Sequence, residues 1–527
     1  MSLRVTDLAT AWFLSAEERD NPDTLIDRRH SGDLSWSEGN GLHALVHGTS
    51  YFGELVTRLH ATREGDLVLF TDWRGDPDEH LDEGGSEVGQ AFAEAARRGV
   101  LVRGLVWRSH LDTLQFSARE NRHLGEEIDA SGGECRLDMR VRPLGSHHQK
   151  LVVLRHPGRP ERDVAYVGGI DLCHSRRDDA THFGDPQAQP MAAAYGPRPP
   201  WHDIQLAITG PAVGDVEATF RERWEDPAPL SRNPWRLMTD RLRGAASSRT
   251  PLPPQLPDPD PAGQHAVQLL RTYPVRRPGY PFARAGERSI ARGYAKAFSQ
   301  ATQLIYLEDQ YLWSVEAAEL LADALRRARD LRFIAVIPRF PDQDGRLSTA
   351  PNLVSRERVL HLLQVAGKGR VSVYGLENAH GTPVYVHAKV CAIDDTWVSV
   401  GSDNINRRSW THDSEVTCAV ISRGESSMLA REIRLQLAQE HLDLPDEAAT
   451  RDRAGRPHDM FEAFAETARR LDAWHAGGQA GERPPGRLRT YTQEPLGRWV
   501  RTWSSAAYRT VYDPDGRSPL HRLHGRY

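Results

Sequence analysis

The chain contains little cysteine and no long apolar run. Only four of its 527 residues are cysteine, and no Cys-x-x-Cys pair occurs, which argues against a zinc site and favours buried, reduced thiols. No stretch approaches the ~20 apolar residues that a membrane-spanning helix needs. The N-terminal sequence lacks the basic start and apolar core of a secretion signal. We therefore expect a cytoplasmic protein without a transmembrane segment.

The overall composition is that of a large, weakly acidic globular protein. The formal net charge is -5 and 39% of the residues are hydrophobic, which is enough to build cores for several domains. A pI near 6.5 provides no general attraction to a polyanion. Nucleic acid is therefore not the expected partner.

Lysine is also scarce, and half of it lies in one repeated motif. The chain has four lysines among 67 basic residues, and Lys150 and Lys389 each follow a histidine, His148 or His387, by two positions. The compact ammonium of lysine is not interchangeable with the planar fork of arginine. The repeated His-x-Lys therefore predicts a site that needs an ammonium group beside an imidazole.

The flanks of the two motifs also match. LVVL and then YVGGIDL follow the first motif, whereas VCAID and then WVSVGSDNIN follow the second. Each pattern predicts a strand, a turn and a second strand ending in small residues. Gly169 and Ser402 would let the backbone approach a ligand, and counting from them aligns Asp171 with Asn404. The sequence thus predicts a repeated phosphate pocket that includes these four residues.

The duplication extends upstream of the motifs. Residues 51–73 resemble residues 289–313, and residues 89–107 resemble residues 318–338, each pair predicting a helix that leads into a buried strand. Alternating helices and buried strands indicate an α/β sandwich with largely parallel sheets. Ligands of such sheets bind at strand ends, so two facing halves would place both His-x-Lys motifs in one cleft.

The motifs together resemble one known family. HHQKLVV, GGIDLC, PWHDIQLAITGPAV and FRERW, followed by IYLEDQYL, YVHAKVCAIDD and GSDNINRRSWTHDSEV, resemble the phospholipase D superfamily, in its two-HKD-motif branch of phospholipases D and transphosphatidylases. The likeness runs from about Leu42 to about Glu440. It implies two homologous α/β/α sandwich halves related by a pseudo-twofold axis; the C-terminal tail lies beyond the likeness, and its residue spacing predicts helices. It also implies cleavage of the distal phosphodiester of glycerophospholipids, with transfer to other alcohols as a second outcome.

The resemblance assigns a role to each histidine. It implies that His148 attacks phosphorus to form a phosphohistidine and that His387 acts as acid and base, although the residues alone do not rank the two imidazoles. Such a two-step displacement is covalent catalysis. The downstream carboxylates that match the family pattern are Asp203 in WHDIQ and Glu415 in HDSEV. Each is expected to orient a histidine.

The remaining family positions imply a cradle for the phosphoryl oxygens. Lys150, Lys389 and Asn404 would hold the non-bridging oxygens, which gain charge in the transition state. Because side chains supply this charge, the reaction is expected to need neither a metal nor another cofactor. The expected partner is a phospholipid substrate, and the oligomeric state is left open.

One position departs from the family pattern. The pattern has an aspartate five residues after the lysine; the second half has Asp394 there, which joins the substrate-binding candidates, whereas the first half has Arg155. The inserted HPGRPERD supplies Glu161 and Asp163, so a longer hairpin could return a carboxylate to this place. The departure is expected to affect the stability of the hairpin and the catalytic efficiency more than the type of reaction.

Composition divides the chain into four segments. Residues 1–243 and 265–445 are the two expected halves, and the proline-rich residues 244–264 are a linker between them. Residues 446–527 form a tail rich in arginine and tryptophan.

Two loops of the first half are expected near the cleft. Residues 183–200 read as a long loop over it. Residues 174–178, which follow GGIDL, either line the head-group side of the cleft or form a solvated loop.

The tail contains apolar residues at helical spacing with arginines among them. This stripe could rest on an anionic membrane as a peripheral contact or pack on its own chain, and residues 459–476 predict another such helix. The residues of the stripe are Leu496, Trp499, Val500, Trp503, Ala507 and Val511, with Arg498, Arg501 and Arg509.

Two other functions remain open. The catalytic centre recognises the diester and not its substituents, so a nuclease or another phosphodiesterase of the same superfamily is the first alternative. A weakly catalytic lipid-binding or phosphate-binding protein is the second, and Arg155 together with the basic tail motivates it.

Overall fold

The chain builds two α/β halves that repeat one strand order. The computed structural model describes residues 5–32, 34–109, 118–242, 249–344, 346–422 and 428–493, and further along 497, 508, 512–517, 522 and 527.

The first half contains eight strands and seven helices among the described residues. The strands are β1 (Ser37–Val46), β2 (Leu67–Asp72), β3 (Leu101–Trp107), β4 (Glu134–Asp138), β5 (Leu151–Arg155), β6 (Val164–Gly168), β7 (Trp201–His202) and β8 (Ile204–Thr209). The helices are α1 (Val5–Trp12), α2 (Ala16–Arg19), α3 (Gly48–His60), α4 (Val88–Arg97), α5 (Ala118–Ala130), α6 (Ala212–Trp224) and α7 (Pro234–Leu242).

The second half and the tail together add ten strands and seven helices within the described ranges. The strands are β9 (His265–Tyr273), β10 (Glu287–Arg288), β11 (Leu304–Glu308), β12 (Arg332–Val336), β13 (Val371–Glu377), β14 (Pro383–Val386), β15 (Val390–Ile393), β16 (Trp397–Gly401), β17 (Glu415–Ser422) and β18 (Leu488–Thr490). The helices are α8 (Ser289–Gln300), α9 (Val315–Arg327), α10 (Arg346–Gly367), α11 (Arg407–Thr411), α12 (Leu429–Leu442), α13 (Glu447–Ala454) and α14 (Pro457–Ala476).

The two halves have the same sheet topology. The first sheet runs β4-β3-β2-β5-β6-β8-β1 and the second runs β13-β12-β11-β15-β16-β17-β9. In each, the first three strands are parallel and the others antiparallel. The expected duplication is therefore confirmed, but the sheets are mixed and not largely parallel. The type of connection explains the mixture. Helices connect the parallel strands, whereas a hairpin joins β5 to β6 and β15 to β16 and makes these pairs antiparallel.

The two sheets face each other across a shared core. Antiparallel pairing of Ser37 in β1 with Val267 in β9 links the sheets at their edges. The inner faces of both sheets pack with α6 and α12 in one apolar cluster. Helices α3, α4 and α5 cover the outer face of the first sheet, and α8, α9 and α10 cover that of the second. This layering is the expected α/β/α arrangement, doubled.

The two motif hairpins are supported in different ways. Asp394 accepts N–H groups from Thr302 and Leu304 at the start of β11, at the far end of β15 from Lys389. The prediction that Asp394 binds substrate is therefore wrong, because its carboxylate is used in joining two strands away from the cleft.

In the first half, the inserted residues return Asp163 and not Glu161. The Arg155 Nε donates to Asp163 at 2.8 Å and its guanidinium also pairs with Glu217, all three being buried. Glu161 is exposed. The insertion thus converts the motif position from a carboxylate that accepts N–H groups into a buried cation with two carboxylate partners.

The cysteines and the helices agree with the composition. All four cysteines are buried and free of disulfide bonds, as expected for small apolar side chains. Among the described helices, none combines the length and apolar character needed to cross a bilayer.

The tail begins with two helices that pack on the second half. Residues 459–476 lie within α14, as predicted, and Met460 and Phe464 of this helix enter the shared core. The apolar stripe predicted between Leu496 and Val511 lies outside the described residues.

Removal of the Arg155 guanidinium is expected to destabilise the protein strongly. Arg155→Met leaves the buried carboxylates of Asp163 and Glu217 without their partner, and we expect the free energy of unfolding to fall by about 3–5 kcal/mol. Arg162→Met, at an exposed position of the same hairpin, is the control. Chemical denaturation measures both, and equal losses in the two variants would contradict the assignment.

Candidate active site

The two His-x-Lys motifs meet in one cleft between the halves. Each motif lies immediately before a strand, β5 or β15, whose first residues pair with the carboxyl end of a parallel strand, β2 or β11. Strand ends of this kind are where ligands of α/β sheets bind. His148 and His387 both line a cleft of about 490 Å³, so the predicted convergence of the motifs is found.

Backbone hydrogen bonds between the halves fix the position of each histidine. The N–H of His148 donates to the carbonyl of Ser414 at 2.9 Å, and the N–H of His387 donates to the carbonyl of His202 at 2.8 Å. The acceptor in each case directly precedes the carboxylate residue, Glu415 or Asp203, that sequence reasoning selected. The main chain therefore places each carboxylate beside a histidine of the other half.

The side chains complete this crosswise arrangement. The Nδ1 of His148 lies 2.9 Å from Oε2 of Glu415, and the Nδ1 of His387 lies 2.6 Å from Oδ2 of Asp203. Each histidine thus uses Nδ1 for a carboxylate from the opposite half, which leaves Nε2 for a reacting atom. Carboxylates in this position fix the tautomer and ring orientation of an imidazole.

Gly169 and Ser402 support these carboxylates and do not line the cleft. A Cβ atom at Gly169 would lie 2.2 Å from Oδ1 of Asp203, so only glycine leaves room for that carboxylate. Ser402 donates its hydroxyl to Oε2 of Glu415 at 2.5 Å. The prediction that they contact substrate is corrected, because each touches the carboxylate that pairs with a histidine and neither lines the cleft itself.

Each lysine folds back on its own motif. The Nζ of Lys150 donates to the carbonyl of His148 at 3.1 Å and lies 3.1 Å from Oδ1 of Asp171. The Nζ of Lys389 donates to the carbonyl of His387. The two ammonium groups are buried, so they are held close to the imidazoles with little access to bulk water.

The aligned residues Asp171 and Asn404 differ in their surroundings. Asp171 pairs with Lys150 and does not line the cleft, whereas Asn404 does. Among the described residues, Oδ1 of Asn404 has no hydrogen-bond partner. Burial raises the pKa of Asp171, but Lys150 and Arg176 lower it more and keep this carboxylate ionised. Asp171 thus neutralises one lysine, and Asn404 presents its amide to the cleft.

Burial controls the protonation of the site. It lowers the pKa of His148 and of His387 well below 6.5, and the charges of Lys150 and Lys389 lower them further. Burial also lowers the pKa of Lys389 to about 8 and raises that of Glu415 to about 8. At neutral pH both imidazoles are therefore neutral, which is the form in which a ring nitrogen can act as a nucleophile.

Aromatic side chains line much of the cleft, and sequence reasoning did not assign them to it. Trp201 lies 4.9 Å from the ring of His387, and Trp73 lies 6.0 Å from that of His148. Both belong to motifs visible in the sequence. Trp73 ends TDW at a strand end, and Trp201 begins the WHD triplet. The aromatic lining consists of Trp73, Trp107, Trp201, Tyr311, Trp313, Tyr385 and Tyr512.

The two predicted loops contribute to the cleft. His174 and Arg176 line it, and the Arg176 guanidinium lies 3.9 Å from the ring centroid of Trp201, which favours the cleft over a solvated loop. Asp178 instead accepts the N–H of Trp201 and supports the loop. Residues 189–191 of the longer loop also line the cleft, as expected.

Two family models match the chain in succession. One, described as phospholipase D, matches residues 78–318, and the other, described as cardiolipin synthase, PLD-like domain, matches residues 294–437. Together they span both His-x-Lys motifs.

Curated relatives include plant phospholipases D. Phospholipase D alpha 1 from Oryza sativa subsp. japonica is 24% identical over 486 residues, covering 69% of this chain and 59% of the relative. Phospholipase D alpha 2 from Arabidopsis thaliana is 24% identical over 483 residues, covering 68% and 59%. The chain therefore spans less than two thirds of the length of these relatives. Among solved structures, phosphatidylserine synthase from Haemophilus influenzae Rd KW20 matches with a TM-score of 0.49 and 12% identity, covering 83% of this chain and 94% of that one.

The pKa of His148 is expected to depend on Lys150. In the unmodified protein His148 should remain neutral at pH values well below the ~6.5 of a free imidazole, and Lys150→Met should raise its pKa because the nearby ammonium no longer opposes protonation. Titration of the ¹⁵N-labelled histidine side chains by NMR measures both values. Lys296→Met, remote from the cleft, is the control. An ordinary pKa for His148 in the unmodified protein would refute the burial argument.

Gly169→Ala is expected to displace the Asp203 carboxylate from His387. The added methyl group would lie 2.2 Å from Oδ1 of Asp203, too close for the carboxylate to stay in place. Misplacement of a catalytic group by about 1 Å can cost about 10²-fold in rate. Cleavage of a chromogenic phosphodiester measures the loss. Gly53→Ala in α3, where a methyl group meets open space, should leave the rate unchanged. Equal rates for the unmodified protein and Gly169→Ala would contradict the expected displacement.

Proposed function

Since the chain belongs to the phospholipase D superfamily, we propose that it cleaves the distal phosphodiester of glycerophospholipids, releasing phosphatidate and a free head group. The observation that carries this proposal is the pair of histidines in one cleft, each with Nδ1 held by a carboxylate from the other half. Two such imidazoles can serve as nucleophile and as acid on opposite sides of one phosphorus atom.

The proposed first step forms a covalent intermediate. His148 Nε2 bonds to phosphorus while the bond from phosphorus to the head-group oxygen breaks, and His387 gives its proton to that oxygen. In the second step a water molecule or an alcohol attacks phosphorus, His387 takes its proton, and the bond from phosphorus to His148 breaks. The use of an alcohol in this step accounts for transfer to other head groups.

The protonation that this scheme requires is supplied in part by the substrate. Burial keeps His387 neutral in the free protein, whereas its role as an acid requires an imidazolium. The negative charge of a bound diester favours that form, so substrate binding would itself prepare the acid.

Three side chains are available to stabilise the negative charge that develops on the non-bridging oxygens. Lys150 and Lys389 provide ammonium groups beside the histidines, and Asn404 provides an amide on the cleft lining. Stabilisation of this kind acts on the transition state and supplies the positive charge from side chains. The proposed reaction therefore uses no metal ion at phosphorus.

The cleft lining favours a lipid over a nucleic acid. Aromatic rings provide apolar surface beside the motifs. Carboxylates and guanidinium groups both occur on the lining, and Asp413 is paired with Arg408, so the charged groups are mixed and form no continuous basic stripe among the described lining residues. A cationic head group is attracted to aromatic faces and carboxylates, whereas a nucleic-acid backbone requires a continuous basic surface.

The assay that tests the function measures lipid products directly. Phosphatidylcholine vesicles are incubated with the protein and a primary alcohol, and phosphatidate and phosphatidyl-alcohol are quantified by mass spectrometry. We expect both products, with His148→Ala and His387→Ala lowering their formation at least about 10²–10⁴-fold. His43→Ala, an exposed histidine outside the cleft, is the matched control. Cleavage of DNA or RNA without lipid turnover would overturn the proposal in favour of a nuclease. Binding of lipid without turnover would overturn it in favour of a lipid-binding protein.

Two further measurements test the intermediate and the absence of a catalytic metal. Rapid acid quench during turnover should trap a phosphoryl adduct on His148, and an adduct on His387 would reverse the two roles. Brief addition of a chelator during the assay should leave the rate unchanged. Immediate loss of activity would show that the proposed metal-free chemistry is wrong.

A further inference from the structure

A second cluster of histidines lies beneath the cleft, outside the residues that line it. His47, His182 and His202 of the first half surround the carboxylate of Glu440 in α12 of the second half, and we name these four residues the histidine cluster. The three histidines are 96% or more buried. None of the four lines the cleft. The cluster is therefore a separate feature of the interface between the halves.

The donor atoms of the histidine cluster lie close together around the carboxylate of Glu440. The Nε2 of His47 lies 2.6 Å from Oε2 of Glu440, and the Nε2 of His182 and the Nδ1 of His202 lie 3.0 and 3.3 Å from Oε1. The four donor atoms all lie within 4.8 Å of one another. Ligand atoms of a tetrahedral Zn²⁺ site are about 3.3 Å apart, because zinc–nitrogen bonds are about 2.0–2.1 Å long.

The imidazole rings are also arranged as around a common ion. Their centroids are 4.8, 5.1 and 5.6 Å apart, and the rings meet at steep angles. His47 and His182 both have positive φ, at 70° and 56°. Non-glycine residues in that region are uncommon, and they concentrate where a site requires them.

Carboxylates outside the cluster face the opposite nitrogen of two rings, at hydrogen-bond distance for His202 and beyond it for His182. The Nε2 of His202 lies 2.7 Å from Glu308, and the Nδ1 of His182 lies 3.6 Å from Asp178. A carboxylate behind a metal-binding histidine fixes the tautomer that presents the other nitrogen to the ion. The Nδ1 of His47 is buried without a hydrogen-bond partner among the described residues.

This arrangement is short of positive charge. A neutral imidazole carries one N–H and one lone pair, yet both nitrogens of His202 face carboxylates, and so do both nitrogens of His182. A lone pair facing a carboxylate is repelled unless a cation lies between them. Either extra protons or a metal ion must supply that cation.

We propose that His47, His182, His202 and Glu440 bind a structural Zn²⁺ ion. Three imidazoles and one carboxylate close a tetrahedral site with borderline ligands, which suits zinc better than the oxygen-only sites of Ca²⁺ and Mg²⁺. The four ligands come from four separate segments of the chain. They therefore form no local cysteine or histidine motif that the sequence could have revealed. The proposed ion is distinct from the metal-free chemistry at phosphorus.

The position of the ion would tie the interface to the cleft. It would link three ligands of the first half to one of the second half. His202 directly precedes Asp203, and its carbonyl accepts the N–H groups of His387 and Ala388. The ion would therefore hold the segment that positions His387 without contacting substrate.

Metal analysis of the purified full-length chain tests the proposal without any activity assay. Inductively coupled plasma mass spectrometry should find about one zinc per chain, and His47→Gln or Glu440→Gln should remove it. His156→Gln, a buried histidine paired with Asp163 in the first motif hairpin, should retain it. If the unmodified protein contained no zinc and took up none from added Zn²⁺, the proposal would be overturned in favour of a proton-sharing network.

A second measurement covers variants that fail to fold. Prolonged dialysis of the unmodified protein against a chelator should lower its Tm, and Zn²⁺ but not Ca²⁺ or Mg²⁺ should restore it. Replacement by Co²⁺ should produce the visible absorption of a tetrahedral ion. An unchanged Tm and the absence of this absorption would reject the site even if the protein proved to be an active phospholipase.

Discussion

Each histidine of the cleft depends on a carboxylate from the opposite half of the chain. Glu415 of the second half holds His148, and Asp203 of the first half holds His387. Neither half therefore contains a complete histidine–carboxylate pair, although each contains its own His-x-Lys motif. Any change in the relative position of the halves would separate both pairs at once. Both histidines therefore depend on the same buried interface between the halves.

The interface combines main-chain hydrogen bonds with a packed apolar core. Main-chain hydrogen bonds join His148 to Ser414 and His387 to His202, and α6 and α12 fill the space between the sheets. Buried ionic groups of this kind contribute less to net stability than their number implies, because each is first removed from water. The histidine cluster, which spans the same interface, would add a further link.

The two halves are alike in topology but not in charge. Asp171 neutralises Lys150, whereas the aligned Asn404 carries no charge, and Lys389 has a pKa lowered to about 8 by its burial. The hairpins differ as well, since Arg155 with its buried carboxylate partners replaces the single aspartate of the second half. Unequal halves suit a reaction in which the two histidines have unequal roles.

Much of the architecture could be read from the chain alone. Matching flanks around Lys150 and Lys389 predicted two halves and one cleft, because duplicated sequence folds into duplicated structure. The His-x-Lys motif itself could be recognised because its two residues are close in the chain. Local patterns also predicted the helices and strands that precede each motif. Tertiary structure alone decided which carboxylate meets which histidine, that Gly169 makes room for Asp203, and that four distant residues form the histidine cluster. These contacts join segments far apart in the chain, and no local periodicity records which distant side chains folding brings together.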